Sequence, residues 1–348
     1  MTANLAAITG IGSVSPHGPL VGLIPQSALE PEAIAAWKTA GPRRAFLVKP
    51  FRPADVVPGL KTRRLDRLSA WAMVASSLAI QDAGIDLSKV DRSRVAIVFG
   101  TGFGCAELTE SFFQSAAVNG WSGTDPSPFP EGLANAPASH VALLHGLRGP
   151  NITVGSTGFA GESALIQAAS LLRHGQADVA IVLAGDTLTR AVYEWYEAAG
   201  LLSPSCYNAE PLPESGGFVP SEGVVAMVLE PSGRKEARSY AHFRSGRCGA
   251  GGKAVEMIRQ MFGGAAPGLT ICAGNGAPCG SSSTLALARE ISGPAADIVP
   301  AQAVAAGLAD AGALLHLLLA LNGSRRGQAL LLGTSGDQGF AALGLELP

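Results

Sequence analysis

The stretch Gly149-Pro150-Asn151-Ile152-Thr153-Val154-Gly155-Ser156-Thr157-Gly158-Phe159-Ala160-Gly161 has the residue types of a strand that runs into a tight turn at a helix start. That geometry normally presents a nucleophile for acyl-transfer chemistry. No cysteine stands at the turn. Gly158 occupies the place of the thiol, with Ser156 and Thr157 just before it. An alcohol in this position needs an adjacent base, and the one acidic or imidazole side chain close by in sequence is Glu162. A scaffold of this kind without its reactive atom points to work done beside an enzyme.

The elements that must hold this turn are readable around it. Apolar runs over 94–99, 177–184 and 223–229 read as strands buried on both faces, and 328–333 and 339–345 add two more near the C-terminus. Helical spacing predicts helices over 68–83, 163–174, 284–291 and 307–321, with Gly84 and Gly175 just past two of the ends as stop signals. Alternating strands and helices predict a layered α/β protein. Two halves resemble each other, each with a glycine-rich strand end, a long helix of small residues and a closing strand pair. The first covers 1–235 and carries the turn; the second, 236–348, is shorter, and the polar piece Ser232 to Arg238 is the boundary between them within one compact unit.

Composition narrows the function classes. The formal net charge is −2 and 15% of residues are charged, which lacks the basic excess that nucleic-acid binding requires. Glycine is the outlier at 44 residues, against roughly 24 at average usage of ~7%. The excess sits at strand ends such as Phe99-Gly100-Thr101-Gly102-Phe103-Gly104, which points to close backbone approach. Five cysteines (Cys105, Cys206, Cys248, Cys272, Cys279) lack CxxC spacing, so reduced thiols in a cytoplasmic protein are expected, with neither disulfides nor a metal site. The first residues are too broken for a signal peptide. Ala301 to Leu321 is apolar but carries Asp310 and His316, and reads as a buried helix with no membrane span.

Five segments in order resemble the β-ketoacyl synthases of the thiolase superfamily. They are Ile8 to Gly18; Arg64 to Ser69 with Gln81 to Ile85; Phe129-Pro130, Asn135 and Gly149-Pro150-Asn151; the turn at Gly158; and Gly217 to Gly223 with Val228-Leu229-Glu230. The resemblance covers nearly the whole chain. It implies a thiolase-like αβαβα sandwich of two pseudo-repeated halves, the second cut down. Members of this family carry out decarboxylative Claisen condensation with a cysteine, two histidines and a lysine. In this chain those four positions fall on Gly158, Asn275, Ala306 and Ala301, so all four groups are absent together.

The resemblance therefore implies a chain length factor-like subunit with no catalysis of its own, paired with an active ketosynthase as a heterodimer. Its substrates would arrive on an acyl carrier protein bearing phosphopantetheine, and the chain itself would hold no cofactor. The short chain favours a polyene-type system over an aromatic polyketide one. Product length would be set where the helix from Cys105 to Asn119 meets the acyl tunnel, at Thr109, Phe112 and Phe113, with Phe129, Leu133 and Phe159 next in line. Phe112 and Phe113 read equally well as plain packing residues. Lys61, Arg63, Arg64 and Arg67 form a small basic patch for docking the acidic carrier, or a solvated face in which Asp66 pairs with Arg63 or Arg67. Two other functions fit the residues: a homodimer that holds acyl groups or carrier protein, and a cryptic acyltransferase or hydrolase using Ser156.

Overall fold

The structure, a computed structural model, describes residues 6–25, 29, 31–34, 37, 43–155, 158–203, 206, 218–232, 239–249, 253–273, 280–293, 297–300, 314, 317, 321, 326–335 and 339–348. In chain order the strands are β1 (Ala6–Ser15), β2 (Gly18–Val21), β3 (Glu32–Ala33), β4 (Arg44–Ala45), β5 (Val95–Thr101), β6 (Asn151–Gly155), β7 (Val179–Asp186), β8 (Gly223–Pro231), β9 (Ala241–Gly249), β10 (Leu269–Ala273), β11 (Asp297–Pro300), β12 (Gly327–Ser335) and β13 (Gly339–Leu347). The helices are α1 (Pro53–Val56), α2 (Arg67–Ala83), α3 (Ala106–Asn119), α4 (Ala136–His145), α5 (Ala160–Arg173), α6 (Arg190–Ala198), α7 (Ala254–Met261) and α8 (Gly280–Ser292), with short 3-10 turns at Trp121–Gly123 and Phe129–Gly132.

The strand order shows the repeat directly. One half runs β6-β5-β7-β8-β1 and the other β11-β10-β12-β13-β9. In each, the first three strands are parallel and the last two antiparallel. The halves meet at β1 and β9, where Ala6, Ala7 and Ile8 face Phe243, His242 and Ala241. Five layers result. α2 and α4 cover the outer face of the first half, α5 with Leu314 and Leu317 lies between the halves, and α7 and α8 cover the second. The thiolase-like sandwich expected from the sequence is the observed fold.

β5 and β7 are buried along their whole length, because parallel strands here are covered on both faces. α2 follows from its ends: Asp66 caps it by accepting from Leu68 N at 2.8 Å, and Gly84 ends it in the left-handed region at φ 64°. The other expected strands and the helices expected over 163–174 and 284–291 are also present, with α5 beginning at Ala160, three residues before its expected start. Most of the helix expected over 307–321 and most of Ser232 to Arg238 lie outside the described residues. No described helix is long and apolar enough to cross a membrane. Cys105, Cys206, Cys248 and Cys272 are free thiols.

Candidate functional site: a strand-turn-helix elbow and the surface beside it

β6 lies against β5, with Ile97 opposite Asn151 and Thr101 opposite Gly155, so its end is carried to the start of α5. Ser156 and Thr157 lie outside the described residues. Gly158 has φ 107°, a conformation that a side chain would strain. Phe159 then caps α5 with its carbonyl, which accepts from Ser163 N at 3.1 Å. The elbow expected from the sequence is thus built, and its apex carries no side chain.

The acid in reach of this turn is directed elsewhere. Glu162 is buried and packs against β12, where a Cβ at Gly333 would stand 2.2 Å from its Oε1. The structure brings a thiol that sequence reasoning passed over, Cys248 of β9, to the first turn of α5, with its Sγ 3.7 Å from Ser163 Oγ. Partial desolvation raises its pKa and the Glu162 charge adds to the rise, while the Ser163 hydroxyl opposes it. Cys105 and Cys272 are pushed up to about 12 and Cys206 to about 11, each chiefly by burial. Asn275, Ala301 and Ala306 lie outside the described residues.

The glycine-rich end of β5 is held rigidly. Asp186, buried, accepts from Thr101 Oγ1 at 2.6 Å and from Phe103 N at 2.9 Å, and Asp66 accepts from Leu108 N at 3.1 Å at the start of α3. Asp66 is therefore a double backbone acceptor, where a pairing with Arg63 or Arg67 was one expectation. From α3, Phe112 projects into an aromatic cluster, 5.7 Å from Phe113, 5.6 Å from Phe129 and 6.4 Å from Trp121 between ring centroids. Phe113, Trp121, Phe129 and Leu133 are 54%, 70%, 50% and 43% exposed. Packing inside the chain does not account for rings this open, and exposed apolar patches of this kind mark contact surfaces.

Thr109 serves differently from the rings. Its Oγ1 donates to Gly132 O at 2.9 Å and ties α3 to the turn at Phe129–Gly132. That turn leads into α4, which packs on β6. Among the described residues β6 has β5 as its one strand neighbour, so in the described part of the chain no strand covers its other edge. Phe159 stands apart from these residues, at the elbow against the second half. Trp121 was not read as a site residue; an aromatic just past a helix-ending glycine was the available signal.

The basic patch divides. Lys61, Arg63 and Arg64 are exposed, and Arg64 is held at φ 73°. Arg67 is committed inside the chain: Nε pairs with Glu107 at 3.0 Å, Nη2 reaches the buried Glu222 at 3.2 Å, and the guanidinium lies 5.0 Å over the Trp71 ring. Glu222 also accepts from Val48 N and Leu188 N; burial raises its pKa and Arg67 opposes the rise. Arg67 is thus a tie between elements that also remains partly exposed beside Arg63 and Arg64.

A strand-turn-helix elbow at the junction of two repeated five-strand sheets defines a protein of the thiolase fold. A family model described as β-ketoacyl synthase, N-terminal domain, matches residues 7–234, and the chain belongs to the β-ketoacyl synthase family. The 3-oxoacyl-[acyl-carrier-protein] synthase 2 of Vibrio cholerae is 27% identical over 252 residues, 68% of this chain and 60% of that protein. The chain therefore matches about 60% of the length of that relative. Among solved structures, the ishigamide ketosynthase/chain length factor aligns with a TM-score of 0.85 at 16% identity, covering 99% of both chains. A type II polyketide synthase acyl carrier protein in complex with its ketosynthase gives a TM-score of 0.78 at 18% identity over 100% of both chains.

Proposed function

We propose that this chain is the non-catalytic, chain length factor-like subunit of a β-ketoacyl-ACP synthase, in a type II polyketide, polyene or fatty-acid-like system. The observation that carries this reading is the elbow's order of strand end, Gly158 and helix start, in which Gly158 leaves the apex without a reactive atom. A subunit that lacks its own nucleophile still supplies shape to a partner that has one. The edge strand β6 and the exposed rings of α3 and the turns after it offer surface for that partner. Two of the structural neighbours bear descriptions naming a chain length factor and a ketosynthase bound to a carrier protein, which supports the reading.

In this assembly the partner carries the cysteine that takes the growing chain, and the carrier protein brings it on phosphopantetheine. Lys61, Arg63 and Arg64 are exposed cations that suit an acidic carrier. Phe112, backed by Phe113 and Phe129, is the block at the end of the partner's tunnel. Co-expression with a ketosynthase from the same source is expected to give a 1:1 heterodimer whose products lengthen by one or more two-carbon units in Phe112→Ala or Phe113→Ala. A homodimer that ignores the ketosynthase supports an acyl- or carrier-binding protein instead. An acyl adduct on Ser156 by mass spectrometry supports a cryptic acyltransferase, and unchanged products from folded, active complexes of both variants remove the rings from length control.

A further inference from the structure

The turn that carries Phe129 has little apolar anchorage of its own. None of its four residues, Phe129–Gly132, is buried, and Pro128 and Pro130 supply no backbone N–H. Its local bonds, Phe129 N to Pro126 O at 3.1 Å and Glu131 N to Pro128 O at 3.0 Å, set its shape but not its place. Among the described residues, side-chain hydrogen bonds from two helices set the place. On one side Thr109 of α3 donates to Gly132 O at 2.9 Å; on the other, His140 of α4 stands with Nε2 2.5 Å from Glu131 Oε2. A carboxylate only accepts, so Nε2 carries the hydrogen and donates.

His140 reaches the turn from a fixed base. α4 is seated on the core through Ala138 and Val141, which are fully buried on either side of it in sequence. Both partners of the pair are half-buried, so water and salt screen it less than an open surface pair. Glu131 also lies near the start of α3: its charge adds to the rise in pKa of the Cys105 thiol, after burial and Asp66. The pair therefore joins α4 to the turn close to α3, two residues on from the ring that meets Phe112 at 5.6 Å.

We infer that His140 is a positioning residue for the aromatic surface of α3: through Glu131 it fixes the Phe129–Gly132 turn and so holds the Phe129 ring against Phe112. A contact surface keeps one geometry only when the groups behind its exposed side chains are themselves fixed. The positioning concerns the chain alone, whichever protein pairs with it. Its consequence for product length rests on the partner-subunit reading.

The test is fluorine NMR of the purified full chain labelled with 4-fluorophenylalanine, with the Phe129 line assigned by Phe129→Leu. His140→Ala and Glu131→Ala are each expected to move that line by more than its width, and the double variant to move it no further than either. The line of a core ring such as Phe99 is expected to stay in place. His140→Gln keeps a nitrogen donor near the Nε2 position and is expected to bring the Phe129 line back towards wild type. An unmoved line in folded His140→Ala overturns the positioning, and so do shifts that add in the double variant, a His140→Gln line no nearer wild type, or movement of all the lines together. Where His140→Ala does not fold, Glu131→Ala on the unburied turn decides in the same way. The heterodimer is scored separately. A moved line with no ketosynthase captured, or with unchanged products, leaves the positioning standing and removes the partner reading or the rings' part in length control. Changed products with an unmoved line overturn the positioning and leave the partner reading intact.

Discussion

Restoring a cysteine at the apex is the perturbation that separates a dormant enzyme from a scaffold. Gly158 sits at φ 107°, where an L side chain meets its own backbone. Holding a non-glycine residue in such a region costs about 1–3 kcal/mol. Unfolding entropy of about 2.1 cal/mol/K per residue, over 348 residues, converts that cost into a fall in Tm of roughly 1.5–4 °C. Gly158→Ala should fall by the same amount as Gly158→Cys, because the strain comes from Cβ and not from sulfur. The second half of the expectation is chemical: if, as the family resemblance implies, the supporting positions fall on Asn275, Ala301 and Ala306, Gly158→Cys does not decarboxylate a malonyl-carrier protein. Differential scanning calorimetry and mass spectrometry of protein incubated with malonyl-carrier read the two halves. A Gly158→Cys variant as stable as wild type, or one that releases carbon dioxide, refutes the reasoning.

Two further outcomes follow from the charges. Arg67→Ala leaves the carboxylate of Glu222 buried without its cation, and because Arg67 is 40% exposed the cost is discounted from the buried-pair range to about 1–3 kcal/mol; Lys61→Ala and Arg63→Ala should stay within about 0.5 kcal/mol, and chemical denaturation of the three variants measures the contrast. Burial, with Arg92 adding to it, pushes His145 down from 6.5 to about 4, so its contribution to stability is present above pH 6.5 and is lost as pH falls through 4. That contribution is about 3 kcal/mol. The raised carboxyls of Asp66 and Glu222 act in the opposite sense, so the measurement is the difference between wild type and His145→Gln: the variant should show the shallower fall in unfolding free energy between pH 6.5 and 4.

Part of the fold was legible because strands covered on both faces, parallel or antiparallel, are written as apolar runs. β5, β7, β8, β12 and β13 were all found this way, each ending up to two residues beyond the apolar run. Those extra residues are informative: β7 ends in Asp186, which a count of apolar residues excludes, yet it holds the turn after β5. β9 was missed because it reads Ala-His-Phe-Arg-Ser-Gly-Arg-Cys-Gly, and its pairing with β1 and β13 substitutes for an apolar pattern. α7 lacks a side-chain cap and so gave no start signal. At the site, Gly158 was visible from the local run of residues. The commitment of Arg67 was not, since Glu222 lies 155 residues away in sequence.

The pattern of what is kept bears on the functional reading. Asp66, Glu107, Arg67 and Glu222 join the start of α2 to α3 and to the approach of β8, and Asp186 locks the turn between β5 and α3. Asp66 and Arg67 reach α3 directly, Asp186 fixes the turn before it and Glu222 bears on it only through Arg67; α3 is the element whose rings face outward. At the elbow, Gly158 stands without a side chain and the Phe159 ring packs against Gly333 and Gly339. A chain drifting after loss of function has no physical reason to keep a buried carboxylate such as Glu222, whose desolvation is costly unless the geometry it enforces is useful. If the outward surface of α3 is the useful product, then Glu222→Gln should weaken pairing with a ketosynthase by more than it lowers Tm in the isolated chain. Loss of stability with pairing unchanged would mean that the network serves folding alone.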